Sequence, residues 1–139
     1  MTRLQLALNV PDVDEAVAFY TRLFGTEPRK HEEGYANFAV ADPPLKLVLF
    51  EGPAGTVNHL GIETETSDQV VEASRRLGQE GLEVDEEMDT VCCLARQDKV
   101  WATAPDGVKW EVYTVLEDVP AGVAAAEGDP CASGSCGCA

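Results

Sequence analysis

At 139 residues, the chain is long enough for one domain with a real hydrophobic core. Its 25 acidic against 10 basic residues, a formal net charge of -15, argue against nucleic acid and against an anionic membrane surface, both of which call for clustered Lys and Arg. No apolar run approaches the roughly 20 residues of a membrane span, and the short apolar stretch 4–10 runs at once into Asp12, Asp14 and Glu15, unlike a signal peptide, so a cytoplasmic protein is expected.

Residues 3–10 alternate Leu4, Leu6 and Leu8 against Gln5, Ala7 and Asn9, the period of a half-buried strand. Pro11 ends it. Asp12 offers an N-cap with Glu15 three residues on, and Val13, Ala16, Val17, Tyr20, Leu23 and Phe24 form a helical stripe closed by Gly25. Strand-like runs follow near 27–32, 35–41 and 45–51, split by Gly34 and Pro43-Pro44. The same order then returns. Residues 57–64 read as a strand, and 66–81 as a helix with Thr66 and Gln69 as a capping box and Val70, Val71, Ser74 and Leu77 facing inward. Strand-like runs recur near 82–88, 100–104 and 109–115. Displacing the first half by 54 positions lays Gln5 on His59, Val17 on Val71, Arg22 on Arg76 and Leu23 on Leu77. Four identities say little, but the doubled order βαβββ-βαβββ says more. The expected fold is α+β: modules of about 1–52 and 55–116, pairing into a cupped, barrel-like mixed sheet with helices outside. After Leu116 the pattern stops, and 117–139 is expected to be a flexible tail carrying Cys131, Cys136 and Cys138.

Gln5, His59 and Glu111 each interrupt an otherwise hydrophobic strand, and Ala7 and Gly61, two residues after the first two, leave room beside them. A buried carboxylate is costly unless paired or metal-bound. Three N/O ligands leave open positions on an iron-like ion, as in the 2-His-1-carboxylate arrangement with Gln replacing one His. Each residue also has a plain reading: a strand His is commonly a hydrogen-bonded structural residue, Gln5 alone is uninformative, and Glu111 can face water. Equivalent places in a repeated fold make coincidence less attractive. His31, between Lys30 and Glu32, reads as a surface residue.

Five cysteines, two adjacent and three in the tail, make a poor disulfide framework and suggest a reducing compartment. Cys92 and Cys93 are neighbours, and neighbours rarely bridge because the small ring strains the peptide between them. Two adjacent thiolates suit one soft, thiophilic atom; free cysteine is equally a small core residue. Residues 89–98 read as a polar loop between strands, able to move as a lid. Chelation requires an irregular backbone there, since neighbours on a regular strand point to opposite faces. Arg96 and Lys99 lie near enough in sequence to favour thiolates, although ordinary surface roles compete. Trp101, Trp110 and Tyr113 read either as an aromatic wall or as core packing.

The βαβββ repeat, with Gln5 and His59 opening its halves and Glu111 in its last strand, resembles the vicinal oxygen chelate superfamily. That superfamily includes glyoxalase I, extradiol dioxygenases and fosfomycin-resistance thiol transferases. With Cys92-Cys93 ahead of the final hairpin and Cys131, Cys136 and Cys138 at the end, the chain resembles in particular the ArsI carbon–arsenic lyase and CadI cadmium-induced protein group. The resemblance implies Fe(II) on Gln5, His59 and Glu111, with O2 as co-substrate. It implies a trivalent organoarsenical such as methylarsenite on Cys92 and Cys93, with Lys99 a further candidate contact and the tail cysteines candidate metalloid collectors. The implied reaction is dioxygenase-type cleavage of the carbon–arsenic bond to arsenite. Many superfamily members carry His where this chain has Gln5, and an amide oxygen is the weaker iron ligand. Leu47 or Val48 at the first-half position matching Glu111 speaks against a four-ligand glyoxalase site. Two alternatives stay open: a non-catalytic cadmium- or arsenite-binding stress protein, and a glyoxalase or thiol-transferase enzyme. No nucleic-acid or membrane partner is expected, and the assembly is a monomer or homodimer.

Overall fold

A computed structural model describes residues 2–92 and 94–119 of the chain. Cys93 and the tail cysteines Cys131, Cys136 and Cys138 lie outside the described residues. The elements are β1 (Arg3–Val10), α1 (Val13–Phe24), β2 (Lys30–Glu32), β3 (Tyr35–Val40), β4 (Leu45–Glu51), β5 (Thr56–Glu63), α2 (Ser67–Gln79), β6 (Asp85–Cys92), β7 (Ala95–Thr103) and β8 (Lys109–Asp118). The α+β class and the doubled βαβββ order are as expected. The chain forms two compact units, one spanning Arg3–Leu60 and the other holding the chain from Gly61 onward, so their boundary falls inside β5.

In the Arg3–Leu60 unit, β1 pairs in parallel with β4, placing Gln5 opposite Lys46 and Ala7 opposite Val48, while β3 runs antiparallel to both β4 and β2. The sheet is therefore mixed. The alternation of β1 and β4 turns their leucines toward α1, where Val13, Val17, Ala36, Phe38, Val40, Leu47 and Leu49 make the core and Leu6, Leu8, Tyr20 and Phe24 pack against it. Asp12 caps α1 by accepting from the Glu15 backbone N–H, and Gly25 at φ 65° ends it in the left-handed region. Leu23 departs from expectation and is 58% exposed. Val13, Val17, Tyr20 and Phe24 fall on a narrow arc of the helix, and Leu23 lies at its edge.

In the other unit, β6, β7 and β8 form an antiparallel meander with Cys92 opposite Ala95, Thr90 opposite Gln97, Lys99 opposite Tyr113 and Trp101 opposite Glu111. The helix α2 begins with the expected capping box of Thr66 and Gln69. It covers one face of this meander: Ser67 donates to Asp98, Ser74 donates to Glu86, and Val70 is fully buried. Val71 was expected inside and is instead exposed, because it lies about 100° round the helix from Val70.

Residues 89–98 are not a loop, contrary to the sequence reading. They are the paired ends of β6, which stops at Cys92, and β7, which starts at Ala95, with a bulge between Glu87 and Thr90, Asp89 at φ 53° and Leu94 at φ 68°. The many charges that read as loop are used across the strands. Arg96 pairs with Asp89 and with Glu117, and Asp98 accepts from the Asp89 backbone N–H. β8 also continues past Leu116 to Asp118. Among the described residues, no helix is long and apolar enough to cross a membrane.

Candidate functional site

Gln5 on β1 and His59 on β5 are both fully buried and meet within their unit, with Gln5 Nε2 3.0 Å from His59 Nε2. His59 Nδ1 lies 2.7 Å from Asn58 Oδ1, an acceptor, so Nδ1 carries the proton and Nε2 keeps its lone pair. Asn58 is held in turn: its Nδ2 donates to Asn9 Oδ1, Asn9 Nδ2 donates to Thr56 Oγ1, and that hydroxyl donates to the Pro53 carbonyl. This chain of amides fixes the imidazole's tautomer and orientation from behind. The Phe50 ring packs 6.2 Å from the His59 ring. The Gln5 amide donates to the imidazole lone pair. Rotating that amide by half a turn presents its oxygen beside Nε2, so the two side chains offer a cation two converging donors.

Glu111 on β8 is fully buried in the other unit, and its Oε2 accepts from Lys99 Nζ at 3.0 Å, with Lys99 equally buried. The ammonium also lies 5.4 Å from the Trp101 ring centroid and 5.9 Å from that of Tyr113. Neither charge would be tolerable there alone; opposite charge and two aromatic faces make their burial affordable. Tyr113 is itself fully buried and donates its hydroxyl to Glu63 Oε2.

Cys92 ends β6 with about 1% of its surface exposed, and Gln97 Nε2 donates to its carbonyl at 3.3 Å. Register and alternation place Cys92, Gln97, Lys99, Trp101, Glu111 and Tyr113 on one face of the meander, the face turned from α2. Cys92, the only cysteine among the described residues, is disulfide-bonded. This corrects the expectation of free thiols: in this state Cys92 can take a thiophilic ligand only after reduction.

Other sequence readings change as well. Arg96 does not serve the thiol. Its guanidinium is held by Asp89 and then by Glu117, which raise its pKa, and it lies on the opposite face of β7 from Gln97. Lys99 is not a surface cation but the partner of Glu111. Trp110 pairs with Ala102 on the α2 side, so only Trp101 and Tyr113 share a face with Glu111. His31 is a surface residue as expected, 2.7 Å from Asp14 Oδ1. Sequence reasoning missed Gln97; the alternation Ala95, Gln97, Lys99, Trp101 was the available signal, masked by the charged residues between them.

Among the described residues, no three His, Cys, Asp or Glu side chains come together as a metal site. A protein-bound metal on these residues must therefore use a donor of another kind, and the Gln5 amide beside the His59 lone pair is one. Imidazole nitrogen and amide oxygen as neighbouring donors suit a borderline divalent ion better than Mg2+ or Ca2+, which take oxygen shells.

Residues 3–112 match the Glyoxalase/Bleomycin resistance protein/Dioxygenase superfamily. The cadmium-induced protein CadI of Mycobacterium tuberculosis is 58% identical over 120 residues, covering 85% of this chain and 79% of that protein. The trivalent organoarsenical cleaving enzyme of Thermomonospora curvata is 53% identical over 146 aligned positions, covering 100% of this chain and 96% of that enzyme. Among solved structures, an extradiol ring-cleaving dioxygenase from B. fuscum superposes with a TM-score of 0.59 at 18% identity over 85% of this chain, which spans only 33% of that longer one.

Proposed function

The chain belongs to the Glyoxalase/Bleomycin resistance protein/Dioxygenase superfamily, and from that premise we propose that it is a carbon–arsenic lyase of the non-haem Fe(II), dioxygenase type, acting on trivalent organoarsenicals such as methylarsenite. The observation that carries this reading is the buried face of β6–β8, which brings Cys92 onto the same side as Glu111. Full-length similarity to a trivalent organoarsenical cleaving enzyme supports it.

Cys92 and Cys93, once reduced, take arsenic by exchange. Two thiols replace the two hydroxyls of CH3As(OH)2, forming two As–S bonds and releasing two waters. Gln5, His59 and Glu111 are the residues that would hold Fe(II). His59 would offer Nε2 in the tautomer set by Asn58, and Glu111 would offer the carboxylate that in the structure accepts from Lys99. Bound Fe(II) supplies the activation of O2 that oxidises the arsenic-bound carbon, leaving arsenite and an oxidised fragment such as formaldehyde. Trp101 and Tyr113 flank the Lys99–Glu111 pair and limit water there. A reducing cytoplasm suits this chemistry, because Cys92 must be a thiolate to act.

The test is aerobic incubation of reduced, Fe(II)-loaded protein with methylarsenite. Inorganic arsenite should appear together with formaldehyde, and an absence of arsenite overturns the reading. A second reading, a cadmium- or arsenite-binding stress protein without turnover, is favoured by the similarity to CadI. Removing residues 120–139 separates the two. A sequestering protein loses much of its metal capacity with Cys131, Cys136 and Cys138, whereas a lyase keeps its turnover.

A further inference from the structure

Gln97 is fully buried, and its Oε1 is the one buried side-chain polar atom without a hydrogen-bond partner among the described residues. The amide cannot solve this by turning over. Its Nε2 faces the Cys92 carbonyl at 3.3 Å, and a flipped amide would set two oxygens against each other. The acceptor is thus held with a fixed direction, on the same face as the Cys92 side chain. A buried acceptor left unmatched costs free energy. Its surroundings narrow what can satisfy it: the nearest cation on that face, Lys99, is engaged by Glu111.

We propose that Gln97 Oε1 receives the hydroxyl of an arsenical captured by Cys92, and so selects ligands that still carry an As–OH after the first thiol exchange. This rests on the organoarsenical reading. The step is CH3As(OH)2 + Cys92-SH → CH3As(OH)(S-Cys92) + H2O. One As–O bond breaks, one As–S bond forms, and the thiol proton leaves in the water. The remaining hydroxyl donates to Gln97 Oε1, holding the half-bound arsenical until a second thiol displaces that hydroxyl as water. Dimethylarsenite, (CH3)2AsOH, spends its only hydroxyl in the first exchange and has nothing to donate.

The experiment uses the full chain with Cys93→Ser, Cys131→Ser, Cys136→Ser and Cys138→Ser, so that Cys92 is the sole thiol. Affinities for methylarsenite and dimethylarsenite are read by intact-mass titration, with and without Gln97→Met, which keeps length while removing the acceptor. Gln97→Met should weaken methylarsenite binding about 3- to 10-fold, the worth of one hydrogen bond, and leave dimethylarsenite unchanged. Equal loss for both ligands, or no loss for either, overturns the proposal; the first outcome means that Gln97 only braces the hairpin or holds a water. If Gln97→Met does not fold, the Gln97 protein decides by itself. Its preference for methylarsenite over dimethylarsenite should exceed that of N-acetylcysteine about 3- to 10-fold, and an equal preference overturns the proposal. A Cys92 that captures neither arsenical brings down the organoarsenical reading as well, a result distinct from capture without discrimination.

Discussion

In the Arg3–Leu60 unit the layer between α1 and the sheet is Val13, Val17, Phe38, Leu47 and Leu49, while in the other unit the face turned from α2 is Cys92, Gln97, Lys99, Glu111 and Tyr113. Both sets are buried. The first needs no partners beyond packing, because apolar side chains gain about 25 cal/mol for each Å2 removed from water. The second holds two opposite charges and a matched but incomplete amide, groups that stabilise a fold little even when paired. Apolar residues of similar volume would serve stability as well or better. What distinguishes the polar face is chemistry: a cysteine sulfur, an acceptor, a cation and a carboxylate in a row across three strands.

The comparison breaks or sharpens by substitution. Cys92→Ala, compared with the parent protein under reducing conditions, should abolish methylarsenite-dependent arsenite release while costing only about 1 kcal/mol of stability; retained release would remove the polar face from the reaction. Glu111→Ala should lose iron binding and turnover together. It should also destabilise by about 3–5 kcal/mol in denaturant titration, because the Lys99 ammonium stays buried without its partner. Adding Lys99→Met to it should restore stability but not turnover, and recovery of both would assign Glu111 a purely structural role. Phe38→Ala, in the apolar layer, should cost about 3–5 kcal/mol of stability yet keep arsenite release per folded molecule. A fall in specific activity there would show that the two regions are not separable. Thr66→Ala, which removes one half of the α2 capping box, should cost about 1 kcal/mol by the same titration and change neither metal nor arsenical binding.

Much of this was legible from residue order. The period-two leucines of β1, the Asp12 cap, the Thr66–Gln69 box and the doubled βαβββ pattern each rest on local physics, and each appears as expected. The β6–β7 hairpin was not legible. Asp89, Arg96, Asp98 and Glu117 look like loop residues until their partners across the strands are known. Leu23 and Val71 erred in the other direction, because an apolar residue at the margin of a helical stripe is decided by the width of the surface it meets.

Gln5, His59 and Glu111 stood out in the sequence because polar residues inside apolar strands break a period, and the sequence alone was enough to nominate them as ligands. That the His59 lone pair is aimed from Asn58, that Lys99 belongs to Glu111, and that Gln97 braces Cys92 were decided by tertiary structure. Cross-strand register governs the last two, and the first rests on Asn58 being held by Asn9, 49 residues away in the chain. Adjacent Cys92 and Cys93 suggested, beside core packing, a site for soft atoms; the fold added the neighbours of Cys92.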